Sequence, residues 1–251
     1  CLYAPDVTQD ADGRYYHYYV LDALSIVSVA VCDTPAGKYE FYGYVHYPDG
    51  TLLGNGEAEK GQHQFDPGVL YEDGKTYLYT GFCPRDAKER YGVMATVLEP
   101  DMLTIKEAPV FVVPSDPHAA GTGYEGHTFF EASSIRKVGD TYYFVYSSTN
   151  YHELCYATSK DPTGKFTFRG TIVSAVDLGI DTYKPADMPA VSGSNNHGGL
   201  VEVNGRWYIF YHRHTNNHWF SRQGCAEPVY FTADGHIPQV EITSCGLNGG
   251  P

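Results

Sequence analysis

The 251-residue sequence contains no run of about eighteen apolar residues, the length a membrane-spanning helix needs, so no membrane is expected as a partner. Basic residues are scarce, 17 Lys and Arg against 30 Asp and Glu, and the net charge is −13. Phosphate backbones are gripped by clustered cations, and no such cluster is present, so nucleic acid is excluded. The same charge disfavours an acidic polymer and leaves a neutral ligand. None of the six cysteines (Cys1, Cys32, Cys83, Cys155, Cys225, Cys245) sits in a C-x-x-C or zinc-type spacing. They read as small, buried or partly buried thiols, which leaves disulfide state and compartment open. No signal peptide is visible, and Cys1-Leu2-Tyr3 leads straight into strand-like sequence, so localisation stays open too. Helical periodicity is nowhere sustained.

What is abundant is tyrosine, 23 residues against three Met, within a 42% hydrophobic fraction. Aromatic residues favour strands. Four segments share a turn glycine followed by an aromatic strand: Asp12-Gly13-Arg14-Tyr15, Asp73-Gly74-Lys75-Thr76-Tyr77, Gly139-Asp140-Thr141-Tyr142 and Asn204-Gly205-Arg206-Trp207-Tyr208. Asp-Gly and Asn-Gly are hairpin signals. Short strands are expected before each, over 5–8, 67–71, 133–137 and 198–203. A second motif recurs, Thr34-Pro35-Ala36-Gly37-Lys38-Tyr39 matching Asp161-Pro162-Thr163-Gly164-Lys165-Phe166. Units of about 65 residues with four strands each read as the blades of an all-β propeller, which leaves few exposed sheet edges. One domain over 1–251 is expected, with blades at about 1–60, 61–125, 126–190 and 191–251.

Counting back eight residues from each turn glycine reaches Pro5, Asp66, Glu131 and His197. Each polar residue has a bland reading: a solvated strand-end carboxylate, or a satisfied core histidine. A shared register would instead bring Asp66, Glu131 and His197 to one height around a common cavity. Glu131, in Phe129-Phe130-Glu131-Ala132, would have its pKa raised by apolar surroundings. His212, Arg213, His214 and His218 lack metal-ligand spacing and read as polar strand-end and loop residues.

In order, the segments Leu2-Tyr3-Ala4-Pro5-Asp6-Val7, Phe65-Asp66-Pro67-Gly68-Val69, Phe130-Glu131-Ala132 and Asn195-Asn196-His197-Gly198-Gly199 resemble glycoside hydrolase family 43, the five-bladed β-propeller arabinofuranosidases and β-xylosidases. The resemblance covers essentially the whole chain. It implies an inverting glycosidase that releases terminal pentose, α-L-arabinofuranosyl first and β-D-xylosyl next, from plant cell-wall polysaccharide. Glu131 would be the general acid, and Asp66 would stay ionised, tune the acid's pKa and orient it. Phe65, His127 and Phe129 would line the sugar pocket, and Arg222 would hydrogen-bond sugar hydroxyls. No cofactor is required, although His197, helped by Asn195 and Asn196, could contact a largely hydrated Ca2+ in the central cavity.

The family's general base is an Asp on the first blade, and the sequence opens where the second should. Asp6 is read as a structural strand-end carboxylate rather than that base. The expectation is therefore a chain lacking the first blade and its base. The alternative is a non-catalytic, carbohydrate-binding propeller. Residues 235–246 resemble the family's last outer strand.

Overall fold

The computed structural model describes residues 1–21, 24–54, 62–84, 89–174, 180, 195–216, 218, 220–243 and 245–248. Four antiparallel sheets follow one another along the chain. The first holds β1 (Leu2–Gln9), β2 (Tyr15–Leu21), β3 (Ser28–Cys32) and β4 (Glu40–Tyr44). β5 (Gln62–Glu72), β6 (Lys75–Pro84), β7 (Gly92–Leu98) and β8 (Ile105–Pro114) make the second. In the third are β9 (Phe129–Val138), β10 (Thr141–Ser148), β11 (Leu154–Ser159) and β12 (Thr167–Val173). The last contains β13 (Gly199–Val203), β14 (Arg206–His214) and β15 (Arg222–Val229). In each sheet strand order follows chain order, as in the blades of a propeller. The proposed blade boundaries near 60 and 190 lie outside the described residues.

The turn glycines do what their sequence context requires. Asp73 and Gly74, and again Asn204 and Gly205, both take positive φ (49° and 77°, 51° and 78°), which twists a two-residue hairpin in the sense of its strands. The paired motifs at 34–39 and 161–166 form matching turns closed by Gly37 N–H to Thr34 O and Gly164 N–H to Asp161 O. They deliver the outer strands β4 and β12.

The core lies between sheets. One apolar cluster joins the first and second sheets (Tyr18, Val29, Val69, Leu78, Met102). A second joins the second and third (Tyr79, Val113, Phe129, Phe144, Phe166), and a third joins the third and fourth (Tyr156, Ile172, Leu200, Ile209). Tyrosine suits this position because its ring fills the layer while its hydroxyl reaches a backbone acceptor. Tyr18 donates to Met102 O at 2.7 Å, Tyr79 to Pro162 O at 2.6 Å and Tyr146 to His127 O at 2.7 Å. Among the described residues no cluster joins the fourth sheet to the first, whose aromatic side chains Phe41 and Tyr44 are exposed. The described part of residues 235–246 does not pair with β15. Instead Val240 bridges to Val173 at the edge of the third sheet, and Thr243 donates to the Glu227 carboxylate.

Candidate active site

Inner strands β1, β5, β9 and β13 lie side by side around the axis. Three of them carry the same irregularity: between Tyr3 and Asp6, Phe65 and Gly68, and Glu131 and Ser134, two residues oppose one on the partner strand. One extra residue per strand is a β-bulge, which re-aims the side chains around it. The residue after each bulge start has a left-handed φ without being glycine: Ala4 (33°), Asp66 (47°) and Ala132 (67°), joined by Asn195 (28°) ahead of β13. Such conformations cost about 1–3 kcal/mol each and gather at functional sites. All four residues line one cavity of about 330 Å3.

The strand pairing corrects the expected common register, because Gly74 is the second residue of its turn and Gly139 the first of its own. Glu131 is equivalent to Phe65 and Tyr3, immediately before the kink, whereas Asp66 occupies the kink itself. His197 lies two residues past Asn195, as Asp6 lies two past Ala4. Asp66, Glu131 and His197 therefore enter one cavity from three successive levels.

Among the described lining residues Asp66 and Glu131 are the only carboxylates. Asp66 is buried, and its Oδ2 accepts the Ala132 N–H at 2.8 Å. Burial, then the Glu131 charge, push Asp66 up to about 7 against the pull of Arg90 and that one amide. Glu131 is also raised, by burial first, and is held back by Arg90 and Arg222. Asp66 is thus partly protonated near neutrality rather than fully ionised as expected, because it is the more deeply buried of the two and, among the described residues, no cation bonds to it directly. The Glu131 charge acts on Asp66, so the two carboxyls titrate as a coupled pair rather than independently.

Arg90 sets the balance. Its guanidinium lies 3.8 Å above the Phe130 ring and 5.2 Å from that of Phe65, and donates to Glu131 Oε2 at 3.1 Å. Sandwiching between aromatic faces orients a planar cation. His152 approaches Glu131 Oε1 from the other side at 3.8 Å, its pKa lowered by burial and by Arg90. Gly81 makes room for the Phe65 wall, since a Cβ there would lie 2.3 Å from the Phe65 ring.

Opposite the carboxylates, the cavity is lined by Asn196, His197, His212 and Arg222. Burial lowers His197 to about 4, with Arg222 and Arg136 adding to the effect, and lowers His212 to about 4 as well. Both are neutral at physiological pH and able to accept a hydrogen bond or a cation. Both polar atoms of the Asn196 side chain are buried without a hydrogen-bond partner. That orphaned amide beside a neutral imidazole fits two contacts to an otherwise hydrated ion, and falls well short of an all-protein calcium cage of six to eight oxygens. A larger cavity of about 700 Å3 runs behind His197 along the fourth sheet. Its carboxylate, Asp6, is already bound by both Arg136 nitrogens at 2.9 and 3.1 Å.

Phe65 and Arg222 line the smaller cavity, but His127 and Phe129 do not. Phe129 is wholly buried between the second and third sheets; in a regular strand it would share a face with Glu131, but the pairing slips by one residue between the two and parts their side chains. His127 pairs with Glu153 and stacks on Phe168. Sequence reading missed Arg90, which follows the charged run Arg85-Asp86-Ala87-Lys88-Glu89 and looks like another solvated loop cation. It gave His212 only a minor role; the alternation along β14, with Ile209 and Tyr211 in the core, was the available signal that His212 faces the other side.

Comparison with known proteins gives the family of the chain. Residues 1–237 match the family described as glycosyl hydrolases family 43. The chain is 67% identical over 246 residues to a xylosidase/arabinosidase of Thermoclostridium stercorarium, covering 98% of this chain and 52% of that protein. It thus spans about half the length of that relative. A Bacteroides ovatus xylosidase/arabinosidase is 28% identical, with 92% of this chain and 70% of that protein covered. Among solved structures, a family 43 β-xylosidase/α-arabinofuranosidase from a compost metagenome, in complex with xylotriose and in a calcium-free form, superposes with a TM-score of 0.71 at 28% identity. That match covers 95% of this chain and 73% of the other. The β-xylosidase RS223 gives 0.70 at 25% identity, covering 95% and 73%. With its bulged inner strands converging on a carboxylate pair and its match over nearly the whole length, the chain belongs to glycosyl hydrolase family 43.

Proposed function

We propose that this chain carries the acid side of an inverting glycosidase that removes terminal pentosyl residues, α-L-arabinofuranosyl or β-D-xylosyl, from hemicellulose or its oligosaccharides. The observation that carries this reading is buried Asp66 beside partly buried Glu131 in one cavity, with Arg90 bonded to Glu131. A cavity of about 330 Å3 suits one sugar ring rather than a length of chain, which favours action at chain ends. The names of the relatives support a pentose.

Glu131 protonates the departing glycosidic oxygen. In the free site Arg90 stabilises the ionised form of Glu131 and leaves the proton with Asp66. A sugar hydroxyl that draws Arg90 off Glu131 removes that stabilisation, so the proton passes to the carboxyl facing the bond to be broken. Phe65 offers a wall for the apolar face of the ring, and Arg222 donates to its hydroxyls. An inverting reaction also needs a second carboxylate, roughly 6.5–9.5 Å from the acid, to activate water on the opposite face. Tyr3, Ala4 and the β13 side bring none among the described residues, so the base is supplied across that side of the cavity by a group outside the described lining. His197 and Asn196 would hold any Ca2+ together with water, and the ion would contribute positive potential on the cavity floor.

That lack of a third carboxylate favours one second reading, sugar binding without hydrolysis. Proton NMR of nitrophenyl α-L-arabinofuranoside and β-D-xyloside with the protein decides between them. Release of pentose with inverted anomeric configuration supports the first reading and a retained anomer contradicts it. Saturable binding with no product establishes the second.

A further inference from the structure

We propose that His127, Glu153 and Cys155, where the chain enters β9 and β11, form a binding site for a single divalent cation of the Zn2+ class. This inference does not depend on the glycosidase reading. The Nδ1 of His127, a carboxylate oxygen of Glu153 and the Sγ of Cys155 all lie within 4.8 Å of one another. Nitrogen, oxygen and thiolate sulfur together are the donor set of a borderline cation such as zinc, and a hard cation would not select a buried thiol.

Charge supplies the second argument. The Glu153 side chain is only 7% exposed. A buried carboxylate needs a counter-charge, because hydrogen bonds alone seldom offset its lost hydration. Among the described residues no Lys or Arg pairs with it, and its nearest partner is His127 Nδ1, at 2.5 Å. The other contacts to Glu153 are neutral: Ser148 Oγ at 3.0 Å, Thr171 Oγ1 at 3.0 Å, Asn150 Nδ2 at 3.4 Å and Cys155 Sγ at 3.4 Å. A dication would supply the permanent counter-charge that the described surroundings of Glu153 lack.

The surroundings are those of a built site. The His127 ring stacks on Phe168 (centroids 5.1 Å apart, planes at 15°), and Tyr146 fixes its backbone carbonyl. Ser148 and Thr171 orient the carboxylate from outside, the role outer-shell donors play around metal ligands. The partly exposed His127 edge gives an entry path, and water completes a tetrahedron. On binding, the Cys155 thiol proton is released to solvent and the sulfur coordinates as thiolate. The His127 ring must retreat by about 1 Å to reach ordinary ligand spacing.

The location suggests what occupancy would do. Tyr151 and His152 form a turn with two consecutive left-handed residues (φ 52° and 54°), and His152 approaches Glu131. Glu153 anchors that turn from one end, and His127 lies just ahead of β9, the strand bearing Glu131. A metal joining them would stiffen the wall behind Glu131.

The test is titration of metal-free protein with Co2+, read by thiolate-to-metal charge-transfer absorption, with Zn2+ competition and thermal melts alongside. The expected result is one equivalent bound, a sulfur charge-transfer band, displacement by Zn2+, and a higher Tm in the bound form. Cys155→Ser should remove the band, and His127→Gln should weaken binding about 10–100-fold. Since His127 is partly exposed, His127→Gln serves as the variant that stays folded. No saturation near one equivalent, binding without the sulfur band, or unchanged affinity in His127→Gln would each overturn the proposal.

Discussion

Asp6 and Asp66 are buried aspartates near the heads of adjacent inner strands, 9% and 8% exposed, yet their surroundings differ completely. Asp6 lies past its kink, where Arg136 binds both of its oxygens and the amides of Val7 and Val69 donate to them. Asp66 stands on its kink, receives one amide and faces another carboxylate. Asp6 is a fully compensated ion that ties β1, β5 and β9 together. Asp66 is left with a deficit that it meets by holding a proton. A two-residue displacement along the same bulged strand separates a structural aspartate from one suited to acid–base work.

This contrast can be broken from either side. Arg136→Met leaves Asp6 buried without its cation and should cost about 3–5 kcal/mol in urea unfolding, the usual penalty for stranding one member of a buried pair. Asp66→Asn should act oppositely. The folded value of about 7 lies above the ordinary carboxylate range, so the native state favours the proton; that advantage is complete below about pH 4 and lost as pH rises through 7. The asparagine keeps the bond from Ala132 and discards the charge. It should stabilise the fold by about 2–4 kcal/mol at pH 8, shrinking to nothing near pH 4, while turnover falls. Equal stability changes at both pH values would remove Asp66 from the shared-proton pair.

A smaller effect sharpens the role of Arg90. Because Arg90 lowers both carboxyl pKa values, Arg90→Met should move the alkaline limb of the rate profile upward by about one pH unit. A limb that stays in place would dissociate Arg90 from the proton balance. The smallest expected change concerns the opposite wall. Burial keeps His197 neutral down to about 4, so unfolding takes up a proton and stability declines as pH falls from about 6.5 toward 4. Melts of His197→Gln over this range should show a flatter decline.

The propeller was legible because its determinants are local. Each hairpin glycine and each Tyr-rich strand announces itself within a few residues, and repetition at about 65 residues leaves little choice of architecture. Glu131, Asp66 and His197 were legible as a group for the same reason. Their relative levels were not, because Gly74 is the second residue of its two-residue turn and Gly139 the first of its own, so the same count back from glycine lands one residue apart. Arg90 was hidden because its partners, Phe130 and Glu131, are some forty residues away in sequence and meet it only when the second and third sheets pack. The raised pKa of Asp66 is likewise a tertiary effect, set by depth and by the charge of Glu131.

The central claim is that Glu131 delivers the proton to the leaving group, and the dependence of Glu131→Gln on leaving-group acidity tests it most directly. An activated nitrophenol leaves without help, whereas a sugar oxygen needs the full general-acid contribution of about 10²–10⁴-fold. The account predicts a loss of that size in kcat on xylobiose or an arabinosyl oligosaccharide and a loss of tenfold or less on the nitrophenyl glycoside. An equal loss on both substrates, or no loss on either, would contradict it.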